Sequence, residues 1–180
     1  SWMAPERVNT PITVQPGRSR IVYEPKGVVV IFAPWNYPFN LAITPLIGAI
    51  AAGNCVIIKP AHETPHTAIV IEKLIKEMYA PEYISVVMGD GKTMGEMLLS
   101  HFTFNHIFFT GSAATGRWIM EKAARTLTPV TLELGGKCPA IVDTSARIDI
   151  AINRISWAKY FNCGQTCLSP DYILVHASIK

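Results

Sequence analysis

The chain has 180 residues, of which 49% are hydrophobic and only 16% charged, with a formal net charge of +3. Charge this sparse, against about 25% in an ordinary soluble domain, excludes a disordered segment and a solvated coiled coil. The scattered basic residues, with Arg18-Ser19-Arg20 the tightest set, exclude a phosphate-tracking face for nucleic acid.

Residues 10–24 hold two short alternating runs around Pro16-Gly17, which predicts a β-hairpin. A hairpin has little core of its own and needs something to pack on. Val28-Val29-Val30-Ile31-Phe32 is a continuous β-branched run, as expected of a strand buried on both faces. The pattern then predicts a helix over 41–52 ending at Gly53, a strand over 56–58, and a helix from Thr64-Pro65 to 79. It continues with a strand over 83–88, a helix over 91–99, a strand over 106–109 and a helix over 112–124. This alternation argues for an α/β fold built on an open, doubly wound, mostly parallel sheet. After Pro129 the pattern changes: 130–134 is extended, Gly135-Gly136 turns, 140–142 is a strand, 148–161 a helix, and 172–175 a last strand. The final block reads as the opening of a second domain.

From Gly27 to Ile58 no residue is charged. Pro34, Pro38 and Pro45 interrupt that stretch, and Asn36, Asn40 and Asn54 would need partners in lipid, so it reads as strand, loop, helix and strand rather than a membrane span. Residues 1–7 lack the apolar core of a signal peptide. The four cysteines, at 55, 138, 163 and 167, form no CxxC. Together these predict reduced thiols, a cytoplasmic location and no metal site.

Five local constellations carry chemistry. Cys167 sits in a turn, Gly164-Gln165-Thr166-Cys167, where a thiol can be exposed and reactive; an ordinary buried cysteine is the plainer alternative. Glu133, flanked by Leu132 and Leu134 and followed by Gly135-Gly136, has the apolar setting of a general base, unless it simply pairs with Lys137. Gly111-Ser112 to Gly116 joins a strand to a helix, whose free N–H groups can hold a phosphate. Its GxxxxG spacing lacks the usual dinucleotide fingerprint, and a plain loop fits as well. Pro34-Trp35-Asn36 lies just past the C-terminal end of the first buried strand, where open α/β sheets bind ligands. Asn36 there either donates to an oxyanion or caps the next helix. Lys59-Pro60 ends the second strand, with Lys59 either on a ribose or phosphate or simply solvated.

Taken together, in order and spacing, these residues resemble the aldehyde dehydrogenase superfamily. Glu133 and Cys167 are 34 residues apart, similar to that family's separation. Tyr23-Glu24-Pro25, Leu127-Thr128-Pro129-Val130-Thr131 and Ser169-Pro170-Asp171-Tyr172 resemble the class 3 branch, which includes fatty and aromatic aldehyde dehydrogenases. The resemblance covers essentially the whole chain. It implies oxidation of a small-molecule aldehyde with NAD or NADP. Cys167 would be the nucleophile, forming a thiohemiacetal and then a thioester. Asn36 and the Cys167 N–H would hold the oxyanion, and Glu133 would activate water. Lys59, Gly111, Ser112 and Gly116, with Pro34, Trp35, Leu134 and Gly135, would surround the cofactor. It also implies three parts: a β-hairpin arm at 1–26 that pairs subunits into a homo-oligomer, an NAD(P)-binding domain at 27–134, and the start of a catalytic domain at 135–180.

Three departures stand out. His62, followed by Glu63, occupies the position where the family often places an acid on the cofactor ribose, which leaves NAD against NADP open. Cys163 could trap Cys167 as a disulfide under oxidation, although a harmless small residue is the favoured reading. Family chains are more than twice this long, so a catalytically silent fragment, binding nucleotide or pairing subunits, is the rival expectation. A cofactor-free thiol esterase using Cys167 and Glu133 is a third.

Overall fold

The structure is a computed structural model and describes residues 3–180. Ser1 and Trp2, at the start of the expected arm, lie outside the described residues. The centre is a five-stranded sheet of β3 (Val28–Phe32), β4 (Cys55–Lys59), β5 (Ile84–Val86), β6 (His106–Gly111) and β7 (Val130–Leu134). Their spatial order is β5-β4-β3-β6-β7, and every pairing is parallel. The chain therefore winds outward from β3 to one edge, returns to the middle, and winds outward again from β6. The sequence-based expectation of an open, doubly wound sheet holds.

Side chains of a strand alternate between faces, and the core divides accordingly. Val29 and Ile31 of β3, with Val56 and Ile58 of β4, pack on α1 (Asn40–Ala51) and α2 (Pro65–Met78). Val30 and Phe32, with Ile107 and Phe109 of β6, pack on α3 (Gly91–His101) and α4 (Ala113–Ala124). Ile31, Ile58, Ile71, Ile107 and Ile119 are almost fully buried, each worth about 1.5–3 kcal/mol of transfer energy. A strand buried on both faces must be apolar at every position, which is why the β-branched run at 28–32 was so legible.

The front hairpin differs from expectation. Its strands are β1 (Glu6–Val8) and β2 (Ser19–Ile21), antiparallel, with Val8 opposite Ser19. Residues 12–14, expected as a strand, form a short 3₁₀ turn. Pro11 and Pro16 flank that segment and cannot donate to a ladder; Val14 N–H instead returns to Pro11 O at 3.1 Å.

The last block holds β8 (Cys138–Val142), α5 (Ile148–Tyr160) and β9 (Pro170–Val175). β8 and β9 form a separate two-stranded parallel sheet, with a register shift at Cys138/Pro139. No residue of α5 is buried. Among the described residues, no helix is long and apolar enough to cross a membrane.

Candidate active site

Because β3 and β6 are neighbours whose connections leave in opposite directions, the chain opens a crevice at their C-terminal ends, the usual ligand position in such sheets. A cavity of about 580 Å³ lies there. Its walls include Pro34, Trp35, Lys59, Gly111 and Ser112, so the structure brings these five expected residues together.

Each has a local reason for its place. Lys59 ends β4 and is only 3% exposed, its ammonium donating to Pro60 O at 2.6 Å. A solvated lysine is thereby excluded. Burial pulls its pKa below the ordinary lysine value, against the opposing pull of Glu63 and Asp90. Ser112 caps α4, its hydroxyl accepting from Thr115 N–H at 3.2 Å. Gly111 closes β6, where a Cβ would lie 2.5 Å from the Phe109 ring that lines the cavity.

Several walls were not foreseen. Gly91 and Lys92 bring the start of α3 to the cavity, beside the start of α4. Two helix N-termini with Lys59 and Lys92 make an environment for an anion such as phosphate. Asp90-Gly91 before a helical pattern was the available signal. His62, which the sequence singles out, lines the cavity too, 3.2 Å from Glu63 and 3.7 Å from Asp90. Thr110 contributes to the lining, but its side chain alternates with Phe109 onto the opposite face of β6, where Oγ1 is buried with no hydrogen-bond partner among the described residues. A buried ammonium and two helix starts at one cavity fit a phosphate-bearing nucleotide.

Other expected residues lie elsewhere. Gly116 is buried where α4 meets β7, and a Cβ there would come within 3.1 Å of Leu134 and 3.4 Å of Leu132. It permits close helix–sheet packing rather than forming a cavity wall. Leu134 and Gly135 are exposed beyond the cavity lining, and Glu133 is exposed opposite Thr110 of β6. Lys137 pairs with Asp171 at 3.1 Å, not with Glu133.

Cys167 is exposed, so the alternative of an ordinary buried cysteine does not hold. Its loop is tied to the loop after β3. Asn36 Nδ2 donates to Gln165 O at 2.7 Å, Asn162 Nδ2 donates to Asn36 O at 2.8 Å, and the Tyr37 and Thr166 hydroxyls are 2.6 Å apart. Asn36 is not a helix cap, because α1 starts at Asn40 with Phe39 before it. The second N–H of the Asn36 amide has no partner among the described residues. Cys138 reaches this loop as well, its thiol 3.8 Å from Cys167 O. Among the described residues no cluster of three or more metal-ligating side chains occurs.

The family model described as the aldehyde dehydrogenase family matches residues 4–180. A 4,4'-diaponeurosporen-aldehyde dehydrogenase of Staphylococcus aureus is 49% identical over 100% of this chain and 39% of its own. Aldehyde dehydrogenase family 3 member A2 of Macaca fascicularis is 46% identical over 99% of this chain and 36% of its own. The chain thus spans little more than a third of these relatives' length. Among solved structures, a substrate-bound Staphylococcus aureus AldH superposes with TM-score 0.95 at 49% identity, over 99% of this chain and 39% of that one. A betaine aldehyde dehydrogenase of Staphylococcus aureus in complex with NAD+ superposes with TM-score 0.87 at 37% identity, over 98% of this chain and 35% of that one.

Proposed function

Because the chain belongs to the aldehyde dehydrogenase family, whose members are oxidoreductases, we propose that it carries the nucleotide-binding and nucleophile-bearing part of an enzyme that oxidises an aldehyde to a carboxylic acid with NAD or NADP. The observation that carries the reading is the Asn36 amide held beside the Cys167 loop, its second N–H without a partner among the described residues. The division at 1–26, 27–134 and 135–180, and a cytoplasmic location, belong to the same proposal.

Cys167 Sγ adds to the aldehyde carbon and gives a thiohemiacetal. The free Asn36 N–H and the Cys167 backbone N–H donate to the developing oxyanion, stabilising charge where it forms. A nicotinamide cofactor, when bound, would supply the hydride acceptor for that carbon. The thioester left on Cys167 is hydrolysed by water, whose proton Glu133 takes; its exposed place at the end of β7 keeps it in reach of water. Lys59, Lys92, Ser112 and the starts of α3 and α4 would hold the phosphate and ribose groups. Gly111 leaves room for the Phe109 ring, Gly116 seats α4, and Pro34 and Trp35 would flank the cofactor, whereas Leu134 and Gly135, outside the cavity lining, are not given that role. The hairpin at 10–24 pairs this chain with a second copy.

The test is NADH or NADPH formation by the purified chain, given a medium-chain or aromatic aldehyde, with Cys167→Ala in parallel. Turnover is expected, and it should vanish in the variant. Nucleotide binding without turnover would favour a silent binding module. Cofactor-independent hydrolysis of an activated ester would favour the thiol esterase.

A further inference from the structure

The turn before the thiol is unusual in its backbone. Asn162 has φ 51 and ψ 41, and Cys163 has φ 57, a left-handed conformation that few residues besides glycine and asparagine adopt cheaply. This turn aims the Asn162 amide at the loop after β3, where Nδ2 meets Asn36 O at 2.8 Å. The Asn162 carbonyl accepts Gln165 N–H at 3.1 Å and Gln165 Nε2 at 3.0 Å. Gln165 O in turn accepts Asn36 Nδ2 at 2.7 Å. A closed ring of hydrogen bonds results: Asn162 grips the Asn36 main chain, and Gln165 grips its side chain. With one Asn36 N–H directed at Gln165 O, the direction of the other is fixed as well.

We propose that Asn162 is a positioning residue, whose amide sets Asn36 against the loop of Cys167 so that the free Asn36 N–H and the thiol address the same carbonyl group. The proposal rests on the roles given to Asn36 and Cys167 above. If Asn162 served only to end α5, glycine would replace it without loss, since glycine adopts the same backbone freely.

Asn162→Gly therefore deletes the amide and keeps the turn. In the full chain it should lower kcat by about ten- to hundredfold, the cost of a misplaced reacting group. The KM for NAD should stay within about twofold, because the nucleotide cavity is untouched. Asn162→Asp keeps the size and the turn but presents oxygens to Asn36 O. Its activity should recover, relative to wild type, as falling pH protonates the carboxyl and restores a donor, a signature that simple destabilisation does not give. A kcat for Asn162→Gly within about twofold of wild type, or lost only in step with the folded fraction, overturns the proposal.

Absence of turnover in the unmodified chain would count against the assigned activity, not against Asn162. The positioning then reads out as the iodoacetamide alkylation rate of Cys167, followed by peptide mass. That rate should change by about fivefold or more in Asn162→Gly; an unchanged rate would overturn the proposal.

Discussion

Asp90 precedes α3 and accepts from Thr93 N–H at 2.8 Å. That backbone hydrogen bond, with help from the Thr93 side chain, holds its carboxyl below the ordinary 3.8. A carboxyl whose folded pKa is depressed adds stability that is complete above the unfolded value and is lost as pH falls through the folded one. Asp90→Asn keeps an acceptor but does not titrate. Its melting temperature should therefore fall less than the wild type's when the pH is taken below 3.8, and an equal fall would deny Asp90 this role. Residues at strand ends were the most legible part of the site: Pro34, Trp35, Lys59, Gly111 and Ser112 all reach the cavity, because a β-branched run marks where its own C-terminal end falls. Gly91 and Lys92 were missed because their arrival depends on which strands and helices become neighbours. The Cys138 thiol, 3.8 Å from Cys167 O, was likewise out of reach of the sequence, since 29 positions separate the two residues.

At the next scale up, α4 shows how one small residue sets the spacing of an element. Gly116 is buried, and α4 can approach β7 because no side chain stands there. In an exposed helix, replacing glycine would help by about 0.5–1 kcal/mol. Here a Cβ would already lie 3.1 Å from Leu134, so Gly116→Val should instead destabilise by about 1–3 kcal/mol, the usual cost of overpacking. Urea denaturation measures this, and a variant as stable as wild type would contradict the close approach. Helices and central strands were readable because their apolar period matches their burial. The arm was not: alternation over 10–14 suggested a strand, but Pro11 and Pro16 deny that segment a ladder, and pairing falls to Glu6–Val8 and Ser19–Ile21.

Across the whole molecule, apolar surface is unevenly distributed. The central sheet is covered on both faces, while Trp157, Tyr160 and Leu168 of the last block are 67%, 76% and 76% exposed. Parallel strands are ordinarily buried on both faces, yet Tyr172, Ile173, Leu174 and Val175 of β9 are open. Such a patch should drive self-association. Sedimentation over a range of concentrations should show a growing mean mass, and a constant monomer mass would rule the patch out as a contact. The low charge fraction foretold this surface, but not its concentration in one block.

The ties between the two loops also have a kinetic consequence. Asn36 and Gln165 are separated by 129 positions, whereas β3 and β4 pair across a far shorter stretch, beginning with Val28 and Cys55. The length-dependent entropy of closing the longer loop is about 4 kcal/mol, against about 3 kcal/mol for the shorter. The ties that repay the longer closure are hydrogen bonds between exposed or partly buried groups. The Cys167 loop is thus secured late in refolding and released early in unfolding. In rising urea, altered Cys167 alkylation should precede the loss of helical circular dichroism, and coincident transitions would show that the loops and the sheet open as one cooperative unit.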